Sequence, residues 1–487
     1  MSHFKRHISP LFALAIVTGV LSLYWPGIAP GLSWANQGAD GGDFITATLT
    51  GGVPHPSGYP TYLVIAQGFQ ALPIGNLAWR TNLMSAVFMA LAAGLVFLLV
   101  ENQLKSAQSG RLSALMAALA FGLAPLVWSQ ALVTEVYGLH AFFVALIFLQ
   151  TFSEPASPTS VFKNPARGLA FGLALGNHLT VIFFAPLLLL PGAFEKSPRW
   201  NGILKRLAWA ALGSLIYLIL PLRALNDAPV NWGNPATWDG FFWLVGGTVY
   251  RSYLFNFDLT DLPLRLTAWL KLFLDQFTLP GLLLGFLGAF TPRQSVGLRL
   301  TTIWGVVGLG LLSVAYGSRD SFVYLIPACL GFSVWMGLGL EQSIVFGQKK
   351  LPRAANWLGV IVIVLLLTRA VSTFPQVDAS RDGRAEAFGQ EFSQTLPPQA
   401  IALAEEDQET FGLWYFHYAL GQRPDIVVLV RGLLPYDWYR ETLRSTYPGF
   451  ALPETSTLDW VEGIKQANPT RPFCTVAVYG RVVIICE

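Results

Sequence analysis

The sequence predicts a polytopic α-helical membrane protein of about eleven spans, closed by a small water-soluble α/β domain at its C-terminal end. Three observations predict it. Over the 487 residues, 53% are hydrophobic and only 12% are charged, about half the roughly 25% charge of a soluble domain. So much apolar surface finds its solvent in a bilayer. Apolar stretches of spanning length recur, at about 9–28, 80–100, 112–130, 138–152, 167–177, 179–195, 206–222, 277–292, 300–316, 322–343 and 354–373. The basic residues alternate with these stretches. With a cytoplasmic N-terminus, fifteen Lys and Arg fall in the inside segments and six in the outside loops, as the positive-inside rule requires.

Each element follows in order. Residues 1–28 have a signal-like form, Lys5 and Arg6 before the apolar run Leu11–Tyr24. No small-residue cleavage site follows, so the segment reads as a retained first span. The outside loop 29–79 has no Lys or Arg before Pro60 and contains an amphipathic stretch, Tyr62–Leu72, suited to the membrane surface. A second long outside loop, 223–275, is rich in aromatics including Trp232, Trp238, Trp243, Tyr250 and Tyr253. Such side chains settle at the interface and also wall a sugar or lipid site. Residues 1–373 therefore form the membrane domain and 374–487 the extracytoplasmic domain. In the latter, helix-like segments at 384–395 and 408–420 accompany strand-like runs at Ala400–Ala404, Ile426–Val430 and Val476–Ile485. Cys474 and Cys486 flank the last run and can pair or stay reduced, while Cys329 lies in an apolar segment.

Polar groups at a membrane edge are costly and are functional candidates. They gather in the expected outside loops. Asp40 and Asp43 stand three residues apart among glycines with no nearby cation, a pattern for proton abstraction, for metal binding or for helix capping. His55 and Tyr59 follow in His55-Pro56-Ser57-Gly58-Tyr59-Pro60. Glu135 lies between two apolar helices with no local partner, and His178 in Gly176-Asn177-His178-Leu179-Thr180 is a ligand candidate or a hydrogen-bonded structural histidine. Arg319-Asp320 is either a self-neutralising pair or an arginine for a lipid phosphate. The sequence has no phosphate-cradling glycine loop, no His/Cys metal cluster and no nucleophile elbow. A net charge of +3 gives no reason to expect nucleic acid.

Asp40-x-Gly42-Asp43-Phe44, His55-Pro-x-Gly-Tyr-Pro60 and Gly75-Asn76-x-x-Trp79-Arg80-x-Asn82-Leu83 resemble the N-terminal signature of the bacterial membrane family called domain of unknown function 2723. That family is similar to an animal transmembrane protein O-mannosyltransferase and to the GT-C membrane glycosyltransferases. Glu135-Val-Tyr137, Asn177-His178-Leu179-Thr180, Pro221-Leu-Arg223, Asn231-Trp232-Gly233-x-Pro235, Asp320 to Pro327, Arg423-Pro424-Asp425-Ile426 and Trp438-Tyr439 continue the likeness. Gly41 and Ser57 depart from it, where the family has a small hydroxyl residue and a second proline. The resemblance implies a GT-C-like fold in a bacterial cytoplasmic membrane and a polyprenyl-phosphate-linked sugar as donor. The sugar would pass, with inversion, to an acceptor hydroxyl on a protein, lipid or glycan outside the cytoplasm. It implies Asp43 or Asp40 as general base, assisted by Glu135, with His55 and either Arg319 or Arg223 on the leaving phosphate. Tyr59, His178, Trp232 and Asp320 complete the expected substrate-binding set, and a divalent metal is compatible with the two aspartates. The alternatives are a transporter of lipid-linked saccharide, which would favour midplane polar groups and internal repeats, and a non-catalytic envelope scaffold.

Overall fold

The computed structural model describes residues 2–104, 109–153, 163–190, 200–292, 294–318, 320–350, 352–453 and 459–487. Of the cations counted above, Lys105, Lys196, Arg199, Arg293 and Arg319 lie outside these residues. The chain begins with α1 (Ser2–Tyr24), then α2 (Gly41–Thr50) and α3 (Pro60–Gln70) in the first long loop. The membrane bundle continues through α4 (Leu77–Gln103), α5 (Ser109–Gly122), α6 (Pro125–Ala131), α7 (Tyr137–Phe152), α8 (Lys163–Leu175), α9 (Pro186–Leu189), α10 (Trp200–Ser214) and α11 (Ile219–Ala224). After α12 (Trp238–Val245) in the second long loop come α13 (Leu262–Ala289), α14 (Val296–Ala315), α15 (Ile326–Gln348) and α16 (Pro352–Val377).

The expected spans meet helices of differing length. Each apolar stretch is largely helical where it is described, and among the described residues seven helical segments are long and apolar enough to cross a membrane, eight if α5 and α6 count as one bent span. Their axes differ by 64° because Pro125 ends the first helix and holds Ala124 extended. The described parts of Tyr137–Phe152, Lys163–Leu175 and Leu179–Leu189 are shorter helices. At about 1.5 Å per residue the longest of them reaches roughly 24 Å, less than a 30 Å hydrocarbon core. Apolar length along the sequence does not reveal where Asn177 and His178 interrupt a helix.

Close approach of helix backbones holds the bundle together. A Cβ on Gly288 of α13 would sit 1.7 Å from the Trp335 carbonyl of α15, and one on Gly339 would sit 1.9 Å from the Leu284 carbonyl. Without a hydrophobic drive between helices in lipid, such small-residue contacts supply the packing. Polar ties cluster at one end, where Glu341 accepts from Ser109 and Ser113, and Arg111 pairs with Glu101. The loops expected to be outside meet at the other end.

The C-terminal region carries a four-stranded sheet, ordered β2-β1-β3-β4, from β1 (Ile401–Ala404), β2 (Val427–Val430), β3 (Phe473–Val478) and β4 (Val482–Cys486). β1 runs parallel to β2 and β3, and β4 antiparallel to β3. The single strand-like run expected at 476–485 is thus a hairpin turning at Gly480 (φ 70°), and its register sets Cys474 opposite Cys486, which are disulfide-bonded. Helices α17 (Arg384–Thr395), α18 (Asp407–Trp414), α19 (Asp437–Thr446) and α20 (Trp460–Ala467) pack on the sheet. One hydrophobic cluster joins its core to Leu32, Trp34, Ile45 and Val53 of the first loop. Asp382 fixes the junction by accepting from Ser33 Oγ and Trp34 N, each at 2.8 Å.

Candidate active site

The site is built around α2. Asp40 precedes it and Asp43 lies in its first turn, where a carboxylate complements the positive helix end. At the other end of α2, Gly51 (φ 73°) closes the helix. The buried Arg223 donates there to the carbonyls of Ala47, Thr48 and Gly52. Arg223, expected on a substrate phosphate, is therefore engaged with backbone at the end of α2 opposite Asp43. Arg319, the other expected cation, lies outside the described residues.

Asp43 is fully buried. Its Oδ2 accepts from the His55 backbone N–H at 2.9 Å and lies 2.6 Å from His55 Nδ1, while Oδ1 has no partner. Asp40 Oδ2 lies 3.6 Å from His55 Nε2, and the Asp40 side chain is 33% exposed. The imidazole is thus held between two carboxylates, one sealed and one open to the cleft. Removal from water pushes the Asp40 carboxyl up to about 7, against the pull of His55 and with repulsion from Asp407, Asp320 and Asp43. Burial alone would lower His55, but Asp40 and Asp43 more than offset it and hold the imidazolium up to about 9. At neutral pH the histidine is a cation at the floor of the cleft.

Around this pair the rings are ordered. Tyr59 lies 5.1 Å and Phe44 5.0 Å from His55 between ring centres, with Tyr250 and Trp232 both at 6.4 Å. Glu135 is buried, and burial followed by repulsion from Asp40 and Asp320 raises its carboxyl well above the usual range. The buried His178 lies 6.4 Å from Tyr59 and shares the Thr180 hydroxyl with His140, its Nδ1 at 2.8 Å. Burial, with His55 adding repulsion, lowers His178 to about 4, so it is neutral. Asp320, within electrostatic reach of His55, is raised by burial and bonded to Ser318. Asp40, Asp43, Glu135, His55, Tyr59, His178, Trp232 and Asp320 therefore share one region, although up to 280 residues separate them in the chain. Among the described residues, no group of three or more His, Cys, Asp or Glu side chains is arranged to hold a metal ion.

Sequence reasoning missed the roof. Phe411 of α18 stacks on His55 at 6.0 Å with 21° between planes, and Trp414 lies 6.0 Å from Trp232. Asp407, one turn before Phe411, is within electrostatic reach of His55, Asp43 and Asp40. A Cβ on Gly42 would lie 2.1 Å from the Phe411 carbonyl, so α2 and α18 touch backbone to backbone. The acidic run Glu405-Glu406-Asp407 between a strand and a helix was the available signal.

Solved structures with this arrangement of helices decide the fold. ArnT from Cupriavidus metallidurans bound to undecaprenyl phosphate superposes with a TM-score of 0.57 at 14% identity, covering 98% of this chain and 97% of that one. The apo oligosaccharyltransferase of Archaeoglobus fulgidus gives 0.54 at 12%, covering 98% and 70%. The fold is GT-C. Within that fold, residues 40–201 match the Protein O-mannosyl-transferase TMEM260 N-terminal domain, and residues 385–467 match TMEM260-associated domain 2. The first match begins at Asp40, and the second takes in α18 with its roof residues. The chain is 26% identical to mouse Protein O-mannosyl-transferase TMEM260 over 471 residues, which is 90% of this chain and 65% of that protein. Identity to the Dictyostelium discoideum protein of the same name is 23%, over 83% of this chain and 56% of the relative. The chain thus spans somewhat less than two thirds of the curated relatives it matches. The expected likeness to an O-mannosyltransferase and to the GT-C class is borne out.

Proposed function

We propose that this protein is a membrane glycosyltransferase that moves a sugar from a polyprenyl-phosphate donor to an acceptor hydroxyl on the extracytoplasmic face. The observation that carries the proposal is the Asp40–His55–Asp43 cluster at the end of the GT-C bundle, one carboxylate open and one sealed. An unactivated hydroxyl needs a base, and a lipid phosphate needs positive charge as it leaves. Asp40, pushed up to about 7, is matched to take a proton near neutral pH. Asp43 holds the His55 ring and the charge on it, and is a positioning residue.

In the proposed reaction the acceptor oxygen attacks the anomeric carbon as its proton passes to Asp40 Oδ2. The bond from that carbon to the phosphate oxygen breaks with inversion, and the phosphate keeps the electron pair, opposed by the His55 imidazolium. Glu135 and Asp320, with raised carboxyls, suit sugar hydroxyls, and Tyr59, Trp232 and neutral His178 suit the sugar's faces. The relatives are protein O-mannosyl-transferases, which favours a protein acceptor. The Cys474–Cys486 disulfide favours an oxidising compartment for the C-terminal region, in line with the charge pattern. A bacterial cytoplasmic membrane as location rests on the first-loop signature.

The test is transfer by the purified full-length chain from radiolabelled polyprenyl-phosphate mannose or glucose, compared with the corresponding nucleotide sugars. Label reaching protein from the lipid donor alone supports the proposal. Transfer from the nucleotide sugar, or label crossing the membrane with no covalent product, refutes it.

A further inference from the structure

A cleft with polar and apolar walls opens between helices of the bundle, with none of the candidate active-site residues in its lining. It has a volume of about 890 Å³ and lies between α6, α13 and α16. Its lining includes Lys271, Asp275, Thr278, Arg369, Ser372 and Gln376. The same two helices carry exposed apolar side chains, Leu274, Leu279 and Leu283 on α13 and Leu365 and Val371 on α16, as lipid-facing helices do. Charged groups are not left at a lipid-facing position without a use.

The cleft exists because α13 is broken. Thr278 has φ 61° and ψ 166°, a conformation that a β-branched residue avoids, and Pro280 has no N–H to bond the carbonyl of Gln276. Arg369 reaches across from α16 and donates to that carbonyl at 2.6 Å and to the Asp275 carbonyl. Gln276 in turn accepts from the Leu126 N–H at the start of α6, at 2.7 Å. The arginine uses two of its five N–H groups on these carbonyls. Lys271 is exposed and makes no ion pair among the described residues.

Depth identifies the ligand. At 1.5 Å per residue, Arg369 stands roughly 25 Å along α16 from Pro352, and its bonds to the Gln276 and Asp275 carbonyls bring the segment of α13 that carries Lys271 to the same end. In a hydrocarbon core of about 30 Å both cations lie near the boundary where headgroup phosphates sit. We propose that this cleft binds the phosphate headgroup of a glycerophospholipid from the surrounding leaflet. Lys271 and the remaining N–H groups of Arg369 bind the phosphate, the Thr278 and Ser372 hydroxyls and the Gln376 amide complete its shell, and Asp275 accepts from headgroup hydroxyls.

The experiment is native mass spectrometry of the delipidated full-length chain in detergent, with phosphatidylglycerol, diacylglycerol or undecaprenyl phosphate added in turn. The wild type retains phosphatidylglycerol and not diacylglycerol. Lys271→Gln weakens that retention about five-fold, and Lys271→Arg restores it. Lys271 is exposed and bonds to nothing described, so its replacement leaves the fold intact. Equal retention by Lys271→Gln, equal retention of diacylglycerol, or retention of undecaprenyl phosphate alone would each overturn the assignment.

Discussion

Replacing Gly42 by alanine tests whether the C-terminal region belongs to the active site. The new Cβ would stand 2.1 Å from the Phe411 carbonyl oxygen and 2.6 Å from its carbon. Both neighbours are backbone, so no side chain can turn away, and α2 and α18 must separate by about 1 Å to restore ordinary contact. Overpacking of this kind costs about 1–3 kcal/mol, which a bundle of this size survives. The catalytic cost is greater, because Asp43 follows Gly42 directly and Phe411 stacks on His55. A displacement of about 1 Å at reacting groups costs about 10²-fold in rate. The variant is expected to remain folded in a thermal scan while transfer falls about 100-fold. Phe411→Leu, which removes the ring without a clash, should lower transfer less and leave Tm nearly unchanged. A Gly42→Ala variant with wild-type turnover would show that α18 is a bystander.

Transfer is expected to follow a bell-shaped pH profile, rising through about 7 as Asp40 loses its proton and falling through about 9 as His55 loses its own. Asp407→Asn removes a nearby negative charge and should shift the alkaline limb downward, whereas a purely structural Asp407 would leave it in place. The same histidine makes a stability prediction. Its folded value lies above the unfolded 6.5, so its contribution is complete below about 6.5 and is lost as pH rises through about 9, which unfolding scans across that window would show. Arg223→Ala should destabilise the chain by about 2–3 kcal/mol, because three carbonyls at the end of α2 lose a charged donor. Unchanged Tm with lost donor binding would instead return Arg223 to the substrate. The Cys474–Cys486 disulfide closes only a short loop, yet its reduction loosens edge strand β4 and should cost about 3 kcal/mol. An unchanged Tm in reductant would contradict this.

The sequence made the membrane architecture legible because bilayer thickness writes itself into apolar run length, and charge alternation into the loops. It also brought out Asp40, Asp43, His55 and Glu135, since ionisable groups beside apolar helices are rarely incidental. It did not reveal the turn at Asn177-His178, because a turn within an apolar run leaves no change of composition. It set Arg223 on a phosphate because an arginine that donates to carbonyls looks, in sequence, like one awaiting a phosphate. The roof from Asp407 and Phe411 was hidden for another reason. Contacts across about 365 residues depend on tertiary packing, and Gly42 and the acidic run Glu405-Glu406-Asp407 were the local hints. The break at Thr278 was equally silent, since Leu-Pro-Gly at 279–281 suits many kinks and the compensating Arg369 lies far along the chain.

The most direct measurement is transfer from a radiolabelled polyprenyl-phosphate sugar by Asp40→Asn, Asp43→Asn and wild-type protein at matched folded concentration, across pH 5 to 10. The account predicts that Asp40→Asn abolishes turnover at every pH while still binding donor. It predicts that Asp43→Asn retains a residue of activity whose alkaline limb has moved to lower pH. Full turnover by Asp40→Asn, with its acid limb intact, would contradict the assignment of the base and the mechanism built on it.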